Sequence, residues 1–231
     1  MFYTYVLDLN SMCAKMMIPI TIKRIALIVW LLENVDKEIS VLEATRESQA
    51  LNYHATYIAL KDLASVGYLR VTRSKRYQVA NAPALVNQLA LTLPLRLKPM
   101  VSFFLGGGML EKMQLLSSRE VNIVFTLFAG AELLSPYVKT SMVHAYVREA
   151  SIEKLTAALV DTGGRRAVAG DADTYLLPTQ HNFILDFSRR MGSFRIAPIG
   201  VLLADLKSHG GLGEEQANRI MKEWLSRQSS S

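Results

Sequence analysis

At Gly67 the hydrophobic period of the chain changes from 3.6 residues to 2, directly after three short helical patterns and directly before a cluster of cations. Upstream, Ile25, Ile28, Val29, Leu32 and Val35 recur at the three- and four-residue spacing of a helix with one apolar stripe. Ser40 followed by Glu43 matches a capping box, so a second, shorter helix is predicted to about Gln49. Asn52 is placed to cap a third helix through Tyr53, Thr56, Leu60 and Leu63, and Gly67 supplies the left-handed residue that follows a helix end. Helices joined by such short turns must pack as a compact trihelical unit. Beyond it, Tyr68–Thr72 reads as a strand, Arg73–Arg76 as a polar turn and Tyr77–Val79 as the partner strand, a β-hairpin with a basic tip.

Three helices and a basic hairpin are the physical recipe of a winged helix-turn-helix, in which the third helix enters the major groove and the hairpin straddles the adjacent backbone. If Thr56, Leu60 and Leu63 face the trihelical core, then Tyr53, His54, Tyr57 and Lys61 lie on the outward face, within reach of base edges and phosphates. The wing carries Arg70, Arg73, Lys75 and Arg76, able to neutralise several phosphates and release their counterions. Taken singly, each residue has a plainer reading: a basic hairpin is often a solvated turn, tyrosines at helical spacing often pack, and His54 suits a surface position. Agreement of spacing, capping, glycine and hairpin favours double-stranded DNA as the partner.

Charge distribution points the same way. The 231 residues carry a net charge of +6 at a sequence pI near 9.4. Residues 1–100 hold 12 basic and 7 acidic side chains, whereas residues 101–231 hold 14 and 13, so the attraction for polyanions resides in the first part. Half the residues are hydrophobic, which excludes a disordered chain. The single cysteine, Cys13, excludes an intramolecular disulfide and a multi-thiolate zinc site, and fits a cytoplasmic location. No membrane or targeting segment is expected: Asp8 replaces a basic leader, the apolar run Ile25–Leu32 is short, and Leu85–Leu110 is broken by Pro94, Arg96, Lys98 and Pro99.

The expected fold class is α+β: an N-terminal winged helix-turn-helix followed by a C-terminal α/β domain with a small mixed sheet. The expected division is an arm over residues 1–20, without periodicity but with Met12, Met16 and Met17; a DNA-binding domain over 21–92, closing on a short helix Ala84–Leu91; a linker over 93–109; and the C-terminal domain over 110–231. In the last, the segment from Leu115 to Leu134 reads as containing a helix that carries Phe125, Phe128 and Ala131. Met142–Val147, Thr174–Leu177, Phe183–Phe187 and Arg195–Ile199 read as strands. Ile152–Val160, Ile199–Ser208 and Glu214–Ser226 read as helices, with a frayed tail at Ser229–Ser231.

The run LNYHATYIALKDLASVGYLRVTRSKRYQVA resembles the recognition helix and wing of bacterial winged-helix regulators. FTLFAGAELLSPYV, the strand SMVHAYV and FRIAPIGVLLADLKSHGGLGEEQANRIMKEWL resemble the C-terminal region of the AbiEi-type family. These are the antitoxins and transcriptional repressors of type IV toxin–antitoxin systems. The closing segment is the most specific: Ala197-Pro198, Ala204-Asp205-Leu206, the turn Gly210, Gly211 and Gly213, then Glu214, Glu215 and Ala217. Leu212 stands where the family usually has arginine, and residues 1–20 match nothing in it. The resemblance implies a cytoplasmic, non-enzymatic repressor that binds inverted repeats in its own promoter, two copies per repeat. It also implies an α/β domain that counteracts a nucleotidyltransferase-like toxin without a stable complex between the two.

Other patterns read more plainly. Asp171 and Asp173 could grip a metal ion beside a triphosphate, but the Gly-Ser phosphate loop and third acid of a nucleotidyltransferase are missing, and a turn into a strand fits better. Gly106-Gly107-Gly108 lacks the lysine and hydroxyl of a phosphate loop and reads as a flexible joint. The four histidines, 54, 144, 181 and 209, have no metal-ligand spacing, so neither metal nor cofactor is expected. Arg165-Arg166 and Arg189-Arg190 could extend a DNA-facing surface, though such pairs are commonly solvated. Two alternatives remain: a winged-helix interaction or replication-linked module without antitoxin role, and a nucleotidyltransferase-like enzyme.

Overall fold

The computed structural model describes residues 21–95, 98–119, 121–168 and 170–228. The expected arm over residues 1–20, with Asp8 and Cys13, lies outside the described residues, as do Arg96 and Ser229–Ser231. The described chain divides into two compact units, residues 21–27 with Lys37–Asn81 and Ile28–Asp36 with the chain from Ala82 onward. Helix α1 (Ile22–Glu33) contributes residues to both.

In the first unit, α2 (Val41–Ser48) and α3 (Tyr53–Ser65) begin at the caps read from the sequence. The Ser40 N–H donates to Glu43 Oε2 at 2.7 Å while the Glu43 N–H donates to Ser40 Oγ at 3.2 Å, and Asn52 Oδ1 accepts from the Ala55 N–H at 2.9 Å. These bonds satisfy donors that a helix start leaves free. Thr56, Leu60 and Leu63 form the buried face of α3, as their spacing predicts, and Ala59 is buried with them. Gly67 adopts φ +80° with open space where a Cβ would stand, so conformation and not crowding demands glycine. Strands β1 (Leu69–Val71) and β2 (Tyr77–Val79) pair antiparallel with Arg70 opposite Gln78. Ile39, before α2, adds a single bridge to Tyr77: each N–H donates to the other's carbonyl, at 2.7 and 2.8 Å.

The second unit opens with α4 (Ala82–Thr92), whose Leu85, Val86 and Leu89 are fully buried in it. It continues through β3 (Val101–Phe104), α5 (Met109–Ser117), β4 (Ile123–Thr126), α6 (Leu127–Glu132), β5 (Val143–Arg148), a 3-10 turn, α7 (Ile152–Asp161), β6 (Arg165–Arg166) and β7 (Thr174–Thr179). It ends with α8 (Asn182–Asp186), β8 (Arg189–Met191), β9 (Phe194–Ile196), α9 (Ile199–His209) and α10 (Leu212–Gln228). The fold is α+β with a mixed sheet of seven strands in the order β6-β3-β7-β5-β4-β9-β8, larger than the small sheet expected. The β5–β7 and β4–β9 pairs are parallel and the others antiparallel.

Three expectations are corrected. Phe183–Phe187 is not a strand: α8 occupies it, with Phe183, Ile184 and Leu185 all buried. So short an apolar run carries no decisive period. Phe125 lies in β4, not in a helix, because Ile123–Thr126 is buried on both faces and shows no alternation; α6 follows at once through Leu127, at φ +51°. Residues 93–109, expected as linker, contain β3, whose Val101, Ser102 and Phe103 pair with β7.

Alternation along β5 sorts the helices. Val143, Ala145 and Val147 join Met113 and Leu116 of α5 and Leu155 and Leu159 of α7 in one apolar core, and each fully buried side chain of this size contributes roughly 1.5–3 kcal/mol. His144 and Tyr146 point to the opposite side of the sheet. There His144 stacks on Tyr175 at 4.7 Å, and burial, with a smaller contribution from His209, pulls its pKa down to about 4. The unfolded chain, with a histidine pKa near 6.5, then binds the extra proton first, so stability falls as pH drops from about 6.5 to 4. The change is on the order of 3 kcal/mol. Between pH 7.5 and 4.5 the unfolding midpoint of wild type is expected to fall relative to that of His144→Phe, which lacks the titrating imidazole.

Candidate nucleic-acid interface

All eight residues singled out for DNA contact lie in the first unit, on α3 and the hairpin. Because Thr56, Leu60 and Leu63 turn inward, Tyr53, His54, Tyr57 and Lys61 are exposed on the other face, Tyr53 by 57% and Tyr57 by 43%. The two tyrosines are close enough to the buried Tyr77 of β2 that, after burial itself, their phenolates oppose its ionisation; its pKa is raised. The hairpin packs against α3 through β1, and Tyr77, opposite Val71 beside the turn, lies near these two tyrosines.

The hairpin is held in shape by polar contacts that use some of its cations and leave others. Glu38 Oε2 accepts from Thr72 Oγ1 at 3.2 Å and Ser74 Oγ at 2.6 Å, and the Lys75 N–H donates to the Thr72 carbonyl at 3.0 Å with Lys75 at φ +58°. Arg76 is turned inward: its guanidinium donates to the Glu38 carbonyl at 3.1 and 2.9 Å and pairs with Glu43, the carboxylate of the α2 capping box. That hydrogen bond is the foremost reason the Glu43 carboxyl sits at about 2, ahead of its bonds with Ser40. Arg70 donates twice to Gln78 Oε1, at 3.1 and 2.6 Å, a neutral partner that leaves its charge uncompensated. Arg73 and Lys75, at the tip, and Lys61 on α3 are exposed and have no ion-pair partner among the described residues.

Of the four hairpin cations, three thus present charge outward and Arg76 fastens the hairpin to α2. Arg76→Ala is expected to lower the stability of this unit by about 1 kcal/mol, the worth of a charge-assisted hydrogen bond that is only half buried. Urea unfolding followed by circular dichroism checks it. Between residues 53 and 80 the chain holds five Lys or Arg against one acid, Asp62, and that acid pairs with Arg24 at 2.9 Å.

The basic pairs of the second unit do not behave as pairs. Arg189 is bound to Glu33 at 2.5 Å, and the same carboxylate accepts the Ile199 N–H at the start of α9, while Arg190 is exposed. Burial of Glu33 outweighs Arg189 and raises the carboxyl's pKa. Arg165 lies over the Phe104 ring at 4.6 Å.

Asp173 is a structural anchor. Its carboxylate accepts from the Leu105 and Gly106 N–H groups at 3.0 and 2.8 Å and from Thr174 Oγ1 at 2.9 Å, and faces the ammonium of Lys112, 2% exposed, at 3.2 Å. Burial raises its pKa, but these bonds outweigh burial and the net shift is downward. Gly106 is thereby pinned to Asp173, just before β7, and Gly108 to Glu111, so the glycine triplet is a fixed turn between β3 and α5 where the sequence suggested a flexible joint. Among the described residues no group of three or more His, Cys, Asp or Glu could hold a metal ion, and no helix is long and apolar enough to cross a membrane.

A buried cluster in the second unit escaped the sequence reading. Asp205, fully buried on α9, pairs with Lys98 and accepts from Thr126 Oγ1 at 2.7 Å and the Tyr146 hydroxyl at 2.8 Å; Lys98 also donates to that hydroxyl. Burial, and then Asp205, push the Tyr146 hydroxyl pKa well up, so it remains a donor. The one available signal was an aspartate inside the apolar helix VLLADL.

The segments that carry the family resemblance also meet. Gln216 Nε2 of α10 donates to the Ser135 carbonyl at 2.7 Å, and Arg219 donates to Ser135 Oγ at 3.0 Å and lies over Tyr137. In the turn before α10, Gly210 and Gly211 have φ +75° and +50°, and a Cβ on Gly213 would lie 2.5 Å from the Leu206 carbonyl. Comparison with protein-family models, with curated proteins and with solved structures found no match.

Proposed function

We propose that the chain is a winged-helix transcriptional repressor of AbiEi type, cytoplasmic and non-enzymatic, which binds an inverted repeat in its own promoter as two copies and acts as antitoxin to a nucleotidyltransferase-like toxin. The observation that carries the DNA-binding part is one face of the first unit, with Tyr53, His54, Tyr57 and Lys61 outward on an N-capped helix and Arg70, Arg73 and Lys75 uncompensated on the adjoining hairpin. An exposed third helix beside a cationic hairpin suits major-groove and backbone contact together. The antitoxin part rests on the resemblance of the C-terminal segments.

Fluorescence anisotropy with a duplex from the upstream region of its own gene, against a scrambled duplex, tests the first part. Preference for the native duplex is expected, with affinity falling steeply between about 50 and 200 mM salt. Failure to bind, or equal and salt-insensitive binding to both duplexes, would overturn it. The exposed Tyr53, Tyr57 and Ile58 also suit a protein partner, and that reading predicts no salt-dependent DNA binding. Co-expression with a nucleotidyltransferase-like protein encoded beside the gene tests the second part, with restored growth as the expected result.

A further inference from the structure

The second unit carries a polar concavity of about 370 Å³ lined by Arg119, Arg190 and Arg195 together with Ser117, Asn122 and Ser193. The arginines reach it from separate elements: Arg119 follows α5, and Arg190 and Arg195 stand directly opposite each other on β8 and β9. Like charges facing one another across an antiparallel pair repel, and such an arrangement costs stability unless something compensates it.

Nothing among the described residues does. Arg119 Nη2 donates to Thr162 Oγ1 at 3.2 Å, and Arg195 donates to Ser188 Oγ at 3.0 Å and the Leu185 carbonyl at 3.3 Å, all neutral acceptors. Among the same residues the Arg190 side chain has no hydrogen-bond partner and Arg119 Nε is buried with no acceptor. The neighbouring Arg189, by contrast, is matched to Glu33. Among the described residues, a buried orphan donor and three guanidinium groups without a carboxylate partner surround one hollow, an arrangement that suits a negatively charged ligand.

We propose that this concavity binds the phosphoryl group of a small phosphorylated ligand. Guanidinium forks match phosphate oxygens two at a time, the two serines and the asparagine add neutral donors, and the hollow has the size of a small-molecule site. The same chemistry would take free phosphate or the phosphate of a nucleotide. The inference does not rest on the DNA-binding reading, whose residues belong to the other unit.

Isothermal titration of the full chain with inorganic phosphate, pyrophosphate and AMP at constant ionic strength, with sulfate as competitor, tests it. Binding of a phosphate-bearing probe is expected in the sub-millimolar range. AMP binding tighter than phosphate assigns an organic phosphate, and equal affinity assigns the free anion. Arg190→Gln, at an exposed and unbonded side chain, is expected to weaken binding about tenfold or more while the ligand-free unfolding temperature holds or rises, since the repulsion with Arg195 is relieved, and Arg166→Gln, outside the hollow, to leave binding unaltered. The proposal is overturned by no heat at about 5 mM of any probe, by sulfate competing as well as phosphate, or by equal losses in the two variants. It is equally overturned if Arg190→Gln reduces affinity for duplex DNA and leaves phosphate binding intact.

Discussion

Arg73→Ala together with Lys75→Ala is expected to lower affinity for duplex DNA at least tenfold near 0.1 M salt and to reduce the slope of log K against log salt by about 2, one unit for each phosphate left unneutralised. Both side chains are exposed at the hairpin tip and without an ion pair among the described residues, so their removal leaves the Glu38–Thr72–Ser74 scaffold and the Arg76–Glu43 pair standing. The weakening should be nearly the same on native and scrambled duplexes, because binding to phosphate carries no sequence information. Tyr57→Ala or Lys61→Ala, on the exposed face of α3, should instead narrow the difference between the two duplexes. Anisotropy titrations at three salt concentrations separate these behaviours. An unchanged slope in the double variant would remove the hairpin from the proposed interface.

The largest effect on stability is expected at Asp205. Replacing it by alanine leaves the Lys98 ammonium, the Tyr146 hydroxyl and the Thr126 hydroxyl without the acceptor they share. Removing one partner of a buried ion pair typically costs about 3–5 kcal/mol, since the remaining charge cannot be resolvated. Asp205→Asn keeps one oxygen acceptor and should cost less. Calorimetry is expected to show the transition of the second unit falling by roughly 10 °C in Asp205→Ala. If Asp205→Ala and Asp205→Asn were both as stable as wild type, the cluster would contribute nothing net.

What the sequence disclosed was what neighbouring residues decide among themselves. The Ser40–Glu43 and Asn52 caps, the inward face of α3 and the left-handed Gly67 each depend on partners within a few positions, and each is where its spacing put it. Arg76 was read with the other wing cations because its partners, Glu38 and Glu43, lie in the chain before α3; only the folded hairpin brings them together. Lys98 and Asp205 are farther apart still, and no periodicity links them. β4 was hidden by burial on both faces, and α8 by its length. The sheet was underestimated because β6 and β8 span two and three residues and consist largely of arginine, a composition that suggests solvated loops.

Those same two strands close the sheet at its ends. A strand on the margin offers unpaired N–H and C=O groups to any extended chain that drifts alongside, and natural sheets blunt that invitation with brevity and charge. Here both margins are short and arginine-bearing, so a visiting chain encounters electrostatic repulsion from any similar margin and too few rungs to grip. Side-by-side fusion of one sheet with another, the first step toward a fibril, is thereby discouraged from both directions.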